Sequence, residues 1–425
     1  MKRILMSAVA LTAIMGTGTT LSAADDGINI LNDVKIKGQI RPRAEYVDVT
    51  DNTRSRGASI TARTHLVVSA GLLGVENLTA TIGLQSVNNF GYNHYDSTAN
   101  GQKQYEVIKD PNFAMLSEAS VDYSVGKTAL HLGRSQVNLD NQRFIGTVGW
   151  RQVERSYDTV YAANSDVENL TVLAAYVYGF QGVGATPTTE TNSMLLHVDY
   201  KVADALKITA YDYMLAVGAQ GIDSDTLGLA LTGKIDAGAK LTYRAEYAQQ
   251  SDPTMEYRTK DIKADATYYN LDFGANISGV LAGINYEVLS GTTGTDGKTS
   301  FNPQLGTNHK FNGWADVFYV AAIPTGGLKD ANIRLGYKAK GFGKVLAVYH
   351  SFTADVAMNA AIGSGTTDDL GSEIDVVYVN TVPGFTNLKG LLKFASYSKG
   401  AAAETGKATW NHDKQVAWAQ LDYRF

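Results

Sequence analysis

Arginine is the residue whose type and spacing point most directly to chemistry in this chain. Arg41 and Arg43 stand two positions apart, Arg143, Arg151 and Arg155 share one stretch, and Arg63, Arg134, Arg244 and Arg334 recur elsewhere. A guanidinium grips a carboxylate through two parallel hydrogen bonds, and fixed positive charge facing water is what an anion passage requires. Lys35, Lys37, Lys240, Lys338, Lys389 and Lys393 add to the positive set. Glu45, Glu118, Asp122, Asp199, Glu246, Asp265, Glu287, Glu373, Asp375 and Asp422 oppose it, so the positive excess is modest. For any one of these residues, pairing with a neighbour across a wet wall is the commoner role. As a group, Arg41 and Arg43 with Arg143, Arg151 and Arg155 are the better candidates for a constriction. The full candidate lining is Arg41, Arg43, Arg63, Arg143, Arg151, Arg155, Arg244, Arg334, Glu118 and Asp199.

Other chemistries find less support. His65, His94, His131, His197, His309, His350 and His412 are scattered, with no HExxH or His-x-His pair to ligate a metal. With no cysteine there is no CxxCH haem site. No local signature of a serine nucleophile with its base is present. Thr366-Thr367-Asp368-Asp369 has calcium-type side chains, but a solvated loop is the commoner reading. The sequence therefore predicts no enzyme, no catalytic residue, no metal and no cofactor.

The elements that must position the arginines alternate. From Val34 to Tyr46 the even positions are uncharged, and Lys35, Lys37, Gln39, Arg41, Arg43 and Glu45 fill the odd ones. A period of two puts successive side chains on opposite faces of a strand. At roughly 3.3 Å per residue the stretch reaches about 43 Å. Tilted by about 45°, that length crosses a bilayer's hydrocarbon core. Pro42 lacks a ladder donor and is expected on a bulge or near a strand end. Similar alternation recurs along the chain; Leu241, for example, is expected toward lipid and Lys240 toward water. With the last strand and a weaker candidate at Trp314–Val320, the count is about 18. Long connections are expected at 91–111, 138–156, 181–191, 251–262, 290–311, 353–371 and 400–412, and short ones between them. Asn138–Ser156 carries Phe144, Ile145, Val148 and Trp150 beside its arginines. An external loop seldom leaves so many apolar residues in water, so this one is expected to dip into the lumen. Only Asp140 and Glu154 oppose the arginines within it.

Composition agrees. Lys2 and Arg3, a short apolar run and Ser22-Ala23-Ala24 read as a secretory signal peptide over residues 1–24. No later segment is long and apolar enough for a membrane helix, and a secreted membrane protein without helices can span only as a closed barrel. The 24 tyrosines suit interfacial girdles. The formal charge of −5, which becomes −7 once Lys2 and Arg3 leave, argues against nucleic acid as a partner. The predicted fold is all-β: one transmembrane antiparallel β-barrel domain over residues 25–425, with short periplasmic turns and long extracellular loops. It belongs in the outer membrane of a Gram-negative bacterium, against lipid and lipopolysaccharide. The C-terminal alternation ending on Phe425 resembles the signature that such barrels present to the barrel-assembly machinery.

A sharper resemblance lies in six blocks: NQRFIGTVGWRQVERSYDTV from Asn141, FNGWAD from Phe311, AVYHSF from Ala347, GSEID from Gly371, KFASY from Lys393 and the final WAQLDYRF. Together they resemble the alginate-export family of outer-membrane channels. The resemblance implies a monomeric barrel of about 18 strands, with an arginine-lined lumen for an anionic polysaccharide in the best-known member. Two functions follow: a channel for small hydrophilic solutes, biased to anions or anionic saccharides, or a structural or adhesive barrel whose lumen is plugged.

Overall fold

Alternation along the chain becomes strand after strand. The computed structural model describes residues 30–217, 222–254, 265–293, 300–361, 365–404 and 409–425; the leader expected over 1–24 lies outside them. The strands are β1 (Leu31–Val49), β2 (Gly57–Leu72), β3 (Leu78–Asn88), β4 (Phe113–Val125), β5 (Thr128–Ser135), β6 (Ser156–Asn164), β7 (Leu170–Gln181), β8 (Thr189–Ala203), β9 (Leu206–Val217), β10 (Ile222–Asp236), β11 (Lys240–Thr254), β12 (Asp265–Ile277), β13 (Val280–Leu289), β14 (Leu328–Ala339), β15 (Gly343–Asn359), β16 (Thr366–Thr381), β17 (Leu388–Lys399) and β18 (Lys414–Arg424). Each pairs antiparallel with its sequence neighbour, and β1 pairs with β18, closing one 18-stranded sheet. Closure removes the edges that lipid could not satisfy. Among the described residues no helix is long and apolar enough to cross a membrane.

The phase of the strands is the one their alternation requires. On β1, Arg41, Arg43 and Glu45 are buried inward while Ile36, Ile40 and Tyr46 are exposed outward. Ile60, Ile82, Leu132, Leu229, Ile284, Ile333 and Leu392 continue the outward apolar band. Even-to-odd connections are brief, such as 126–127 and 278–279, and define one rim. Odd-to-even connections are mostly longer, notably 89–112, 136–155 and 290–327, and leave the opposite rim. Short turns face the periplasm and long loops the exterior.

Three expectations need correction. Trp314–Val320 is not a strand; it belongs to the 290–327 connection, whose described residues include 3-10 turns at Asn308–Lys310 and Val320–Ala322. The stretch 353–371 is largely strand, because β15 and β16 run on beyond the sheet's average height. Pro42 sits in the middle of β1, opposite Ala62 of β2. On its other side the β1–β18 ladder pairs Ile40 with Tyr423 and resumes at Arg43 with Gln420. The proline thus occupies the gap in the closing seam, where its missing donor breaks no rung.

Candidate functional site

The inward faces of the strands meet three loops inside the barrel. The 136–155 loop enters first, for the reason its composition gives: its apolar residues need a surface. Phe144 packs against Tyr211, Tyr268 and Phe301 at ring distances of 5.4, 5.2 and 5.8 Å, and Ile145 bridges to Leu305. The partner segment is the 290–327 loop, so the two cover one another within the lumen. The 89–112 loop adds Asp110, fully buried, beside Arg43 at 3.6 Å.

The arginines that enter with these loops are matched by carboxylates from the wall. Arg143 pairs with Glu287 of β13 at 2.9 Å and is held by Asn308 and Asn312. Arg151 reaches Glu45 of β1 at 3.1 Å and Asp316 at 3.0 Å. Burial works against its charge, but Glu45, Asp110 and Asp316 more than offset that and hold its pKa above the ordinary value. Arg155 bonds instead to the carbonyls of Gly146 and Leu305. Arg63 pairs with Glu154. Arg41 donates to Gln152 at 2.9 Å and to the carbonyls of Gly149 and Arg151. The idea of several uncompensated arginines in this loop is therefore overturned: the partners that Asp140 and Glu154 could not supply come from β1, β13 and the second loop.

At the centre lies Lys393 of β17. Its ammonium stands 4.1 Å from the Trp150 ring, 3.9 Å from Trp314 and 5.2 Å from Trp418, and 2.6 Å from His309 Nε2. A cation over an aromatic face is attracted by about 2 kcal/mol or more when desolvated. His309 stacks flat on Trp150 at 4.6 Å and bonds Asp316 at 2.8 Å. Burial pushes the His309 pKa down to about 3 against the pull of Asp316, so the ring is neutral at pH 7, donating through Nδ1 and accepting from Lys393. Beside the box, the amides of Trp314 and Ala315 donate to Asp375 and Glu373 of β16 at 3.1 and 2.7 Å. Gly313 takes φ +85°, and a side chain there would collide with the Glu373 carboxylate. Asn312 donates to Glu287 at 2.6 Å.

The predicted residues thus divide by place. Arg41, Arg43, Arg63 and Arg151 gather at β1, β2 and the first loop. Arg143 and Arg155 face the second loop. Arg244 of β11 pairs with Asp140 and Glu246 away from that cluster. Arg334 pairs with Asp272 at 2.6 Å toward the short-turn rim. Glu118 lies 3.4 Å from His65 on β2, and Asp199 bonds Lys207 at 2.9 Å and Thr209. Sequence reasoning missed the tryptophan box, His309, Asn312, Asp110 and Asp316. For Asn312, Asp316 and two of the tryptophans the signal was present: FNGWAD, GSEID, KFASY and WAQLDYRF supply Asn312, Trp314, Asp316, Glu373, Asp375, Lys393 and Trp418 to this one place.

Known proteins resemble the chain in family and in fold. The family model described as alginate export matches residues 34–416. No curated protein sequence matches the chain. Among solved structures, the chain is similar to Pseudomonas aeruginosa OccK8 (OprE), with TM-score 0.66 and 16% identity over 92% of this chain and 98% of that one. Acinetobacter baumannii OccAB4 gives TM-score 0.68 at 14% identity over 94% and 100%. Pseudomonas aeruginosa OpdK, solved with vanillate, gives 0.67 at 11% over 92% and 98%.

Proposed function

The chain belongs to the alginate export family, and from that premise we infer that it is an outer-membrane channel through which small hydrophilic solutes diffuse, with a bias to anions. The observation that carries the reading is water access inside a wide barrel. Lys35 and Lys37 share the inward face of β1 with buried Arg41 and Arg43, yet stay exposed. Barrels of 16–18 strands leave an aqueous interior that smaller barrels fill with side chains. The bias to anions belongs to the same proposal, and so do Arg41, Arg43, Arg63, Arg143, Arg151, Arg155, Arg244, Arg334, Glu118 and Asp199 as residues that line the lumen. Vanillate, the carboxylate in the OpdK structure, suggests the class of solute to try. We further propose one barrel domain over 25–425 after removal of the 1–24 leader, assembly through the Phe425 strand by the barrel-assembly machinery, contact with lipopolysaccharide, and a monomeric working form.

The interlocked 136–155 and 290–327 loops favour a second reading, a plugged surface barrel. Planar-bilayer recording separates the two. The channel reading expects discrete conductance steps with a reversal potential of anion-preferring sign in a potassium chloride gradient. A folded barrel that inserts and stays silent supports the plug.

A further inference from the structure

The loop arginines are matched, so a bias to anions needs another seat. The inward-facing lysines at the short-turn rim offer one. Lys35 and Lys37 open β1, Lys234 lies near the end of β10, Lys338 near the end of β14, and Lys344 and Lys389 near the starts of β15 and β17. Each shares its face with inward residues: Lys234 with Thr226 and Ala230, Lys338 with Asn332, Lys344 with His350, Lys389 with Lys393. Five are exposed and Lys344 is half-buried. Among the described residues, none of the six has a carboxylate within ion-pair distance.

The register sharpens the contrast. Lys338 stands directly opposite Lys344, and Lys201 opposite Lys207, though those two have Asp204 and Asp199 as partners. Like charges directly opposite on one face of a sheet are unfavourable. Of the acids at this level, Asp272 pairs with Arg334, Asp199 bonds Lys207 and Thr209, Asp204 pairs with Lys201 while its field also reaches Lys234, and Asp422, opposite Lys389 in the β17–β18 register, bonds Gln39 and Arg424. The result is a set of ammonium groups without ion-pair partners on the inner face at the short-turn rim, an arrangement that concentrates counter-ions.

We propose that this lysine ring is the anion-collecting site of the barrel, that it sets anion preference, and that it binds small multivalent anions from the periplasmic side. The ammonium groups are compact point charges on flexible stems, suited to phosphate-like and polycarboxylate anions and indifferent to their shape. The proposal rests on the channel reading above, and the experiment separates their failures.

The test is planar-bilayer recording of the full chain, inserted in one orientation, with inorganic triphosphate added to either chamber. Wild type is compared with Lys338→Gln/Lys344→Gln and with Lys35→Gln/Lys37→Gln/Lys389→Gln. Triphosphate is expected to reduce the current from the short-turn side at a concentration about tenfold lower than from the loop side. Each variant should weaken that block and lower the anion-over-cation permeability ratio at least about twofold. Heat-modifiable gel migration confirms that the variants assemble, and the sidedness in wild type needs no variant. Equal block from both sides, or an unchanged reversal potential in conducting variants, overturns the lysine ring while leaving the channel standing. A silent wild type overturns the channel reading itself.

Discussion

At the residue scale, the central question is whether an arginine serves the pore or the loop that carries it. Arg143 is buried against Glu287, Asn308 and Asn312. Removing one member of a buried pair leaves an uncompensated charge at a cost of about 3–5 kcal/mol. Arg143→Ala is therefore expected to free the first loop, seen as faster protease cleavage between residues 136 and 155 in an assembled barrel. Unchanged cleavage contradicts the latch. Charge removal at Arg151 and Arg155 is expected to increase current noise more than it moves the reversal potential. Acid offers a second test at this scale. His309 is held neutral with a pKa of about 3 when docked, below the roughly 6.5 of a free ring. A freed loop takes up the proton that the docked loop refuses, so docking weakens as pH falls from about 6.5 toward about 3. Asp316, held low by His309 and Arg151 against its burial, acts in the same direction at more acid pH. Emission from Trp150 and Trp314 should shift to the red between pH 7 and pH 4, and a constant spectrum counts against the box. The sequence made the arginines visible but not their partners. A pair such as Arg143 with Glu287 joins a loop to a strand far along the chain, and no local spacing encodes that.

At the scale of elements, period-two alternation was enough to place nearly every strand and its phase. The outward band follows directly from it: Ile333 is exposed while Asn332 beside it is buried inward. Alternation failed where loops cover the inner wall. Phe352, Ala354 and Leu370 are buried because the lumen there is packed rather than wet, so the upper ends of β15 and β16 lose the polar face that marks a strand. It failed in the other direction at Trp314–Val320, where apolar residues that fill the lumen imitate a strand. Depth was also invisible in sequence. Leu241 faces outward as expected, but it is the second residue of β11, at the rim. Arginine on a lipid face costs about 2–4 kcal/mol at the midplane and about 0–1 near the interfaces. Ile333→Arg, halfway along β14, should sharply reduce the heat-modifiable, assembled fraction, whereas Leu241→Arg should leave most of it. Equal losses mean that the membrane band lies elsewhere on the barrel.

At the scale of the molecule, the family-like blocks have a common physical meaning. They lie far apart in sequence, on β15, β16, β17, β18 and two loops, and they converge on the lumen. There they lock the loops to the wall through Lys393, the tryptophans, His309 and the Glu373–Asp375 pair. Charge is paired where the loops narrow the barrel, while six inward lysines at the short-turn rim have no carboxylate within ion-pair distance among the described residues. The first and second loops together decide whether the barrel conducts, and we propose that an aqueous path remains past them. The most direct measurement of that claim is osmotic swelling of liposomes carrying the purified, folded full-length chain. Isotonic arabinose and gluconate are both expected to produce swelling, with gluconate entering faster than the neutral sugar. Liposomes that contain assembled barrel and swell no faster than empty ones in either solute contradict it.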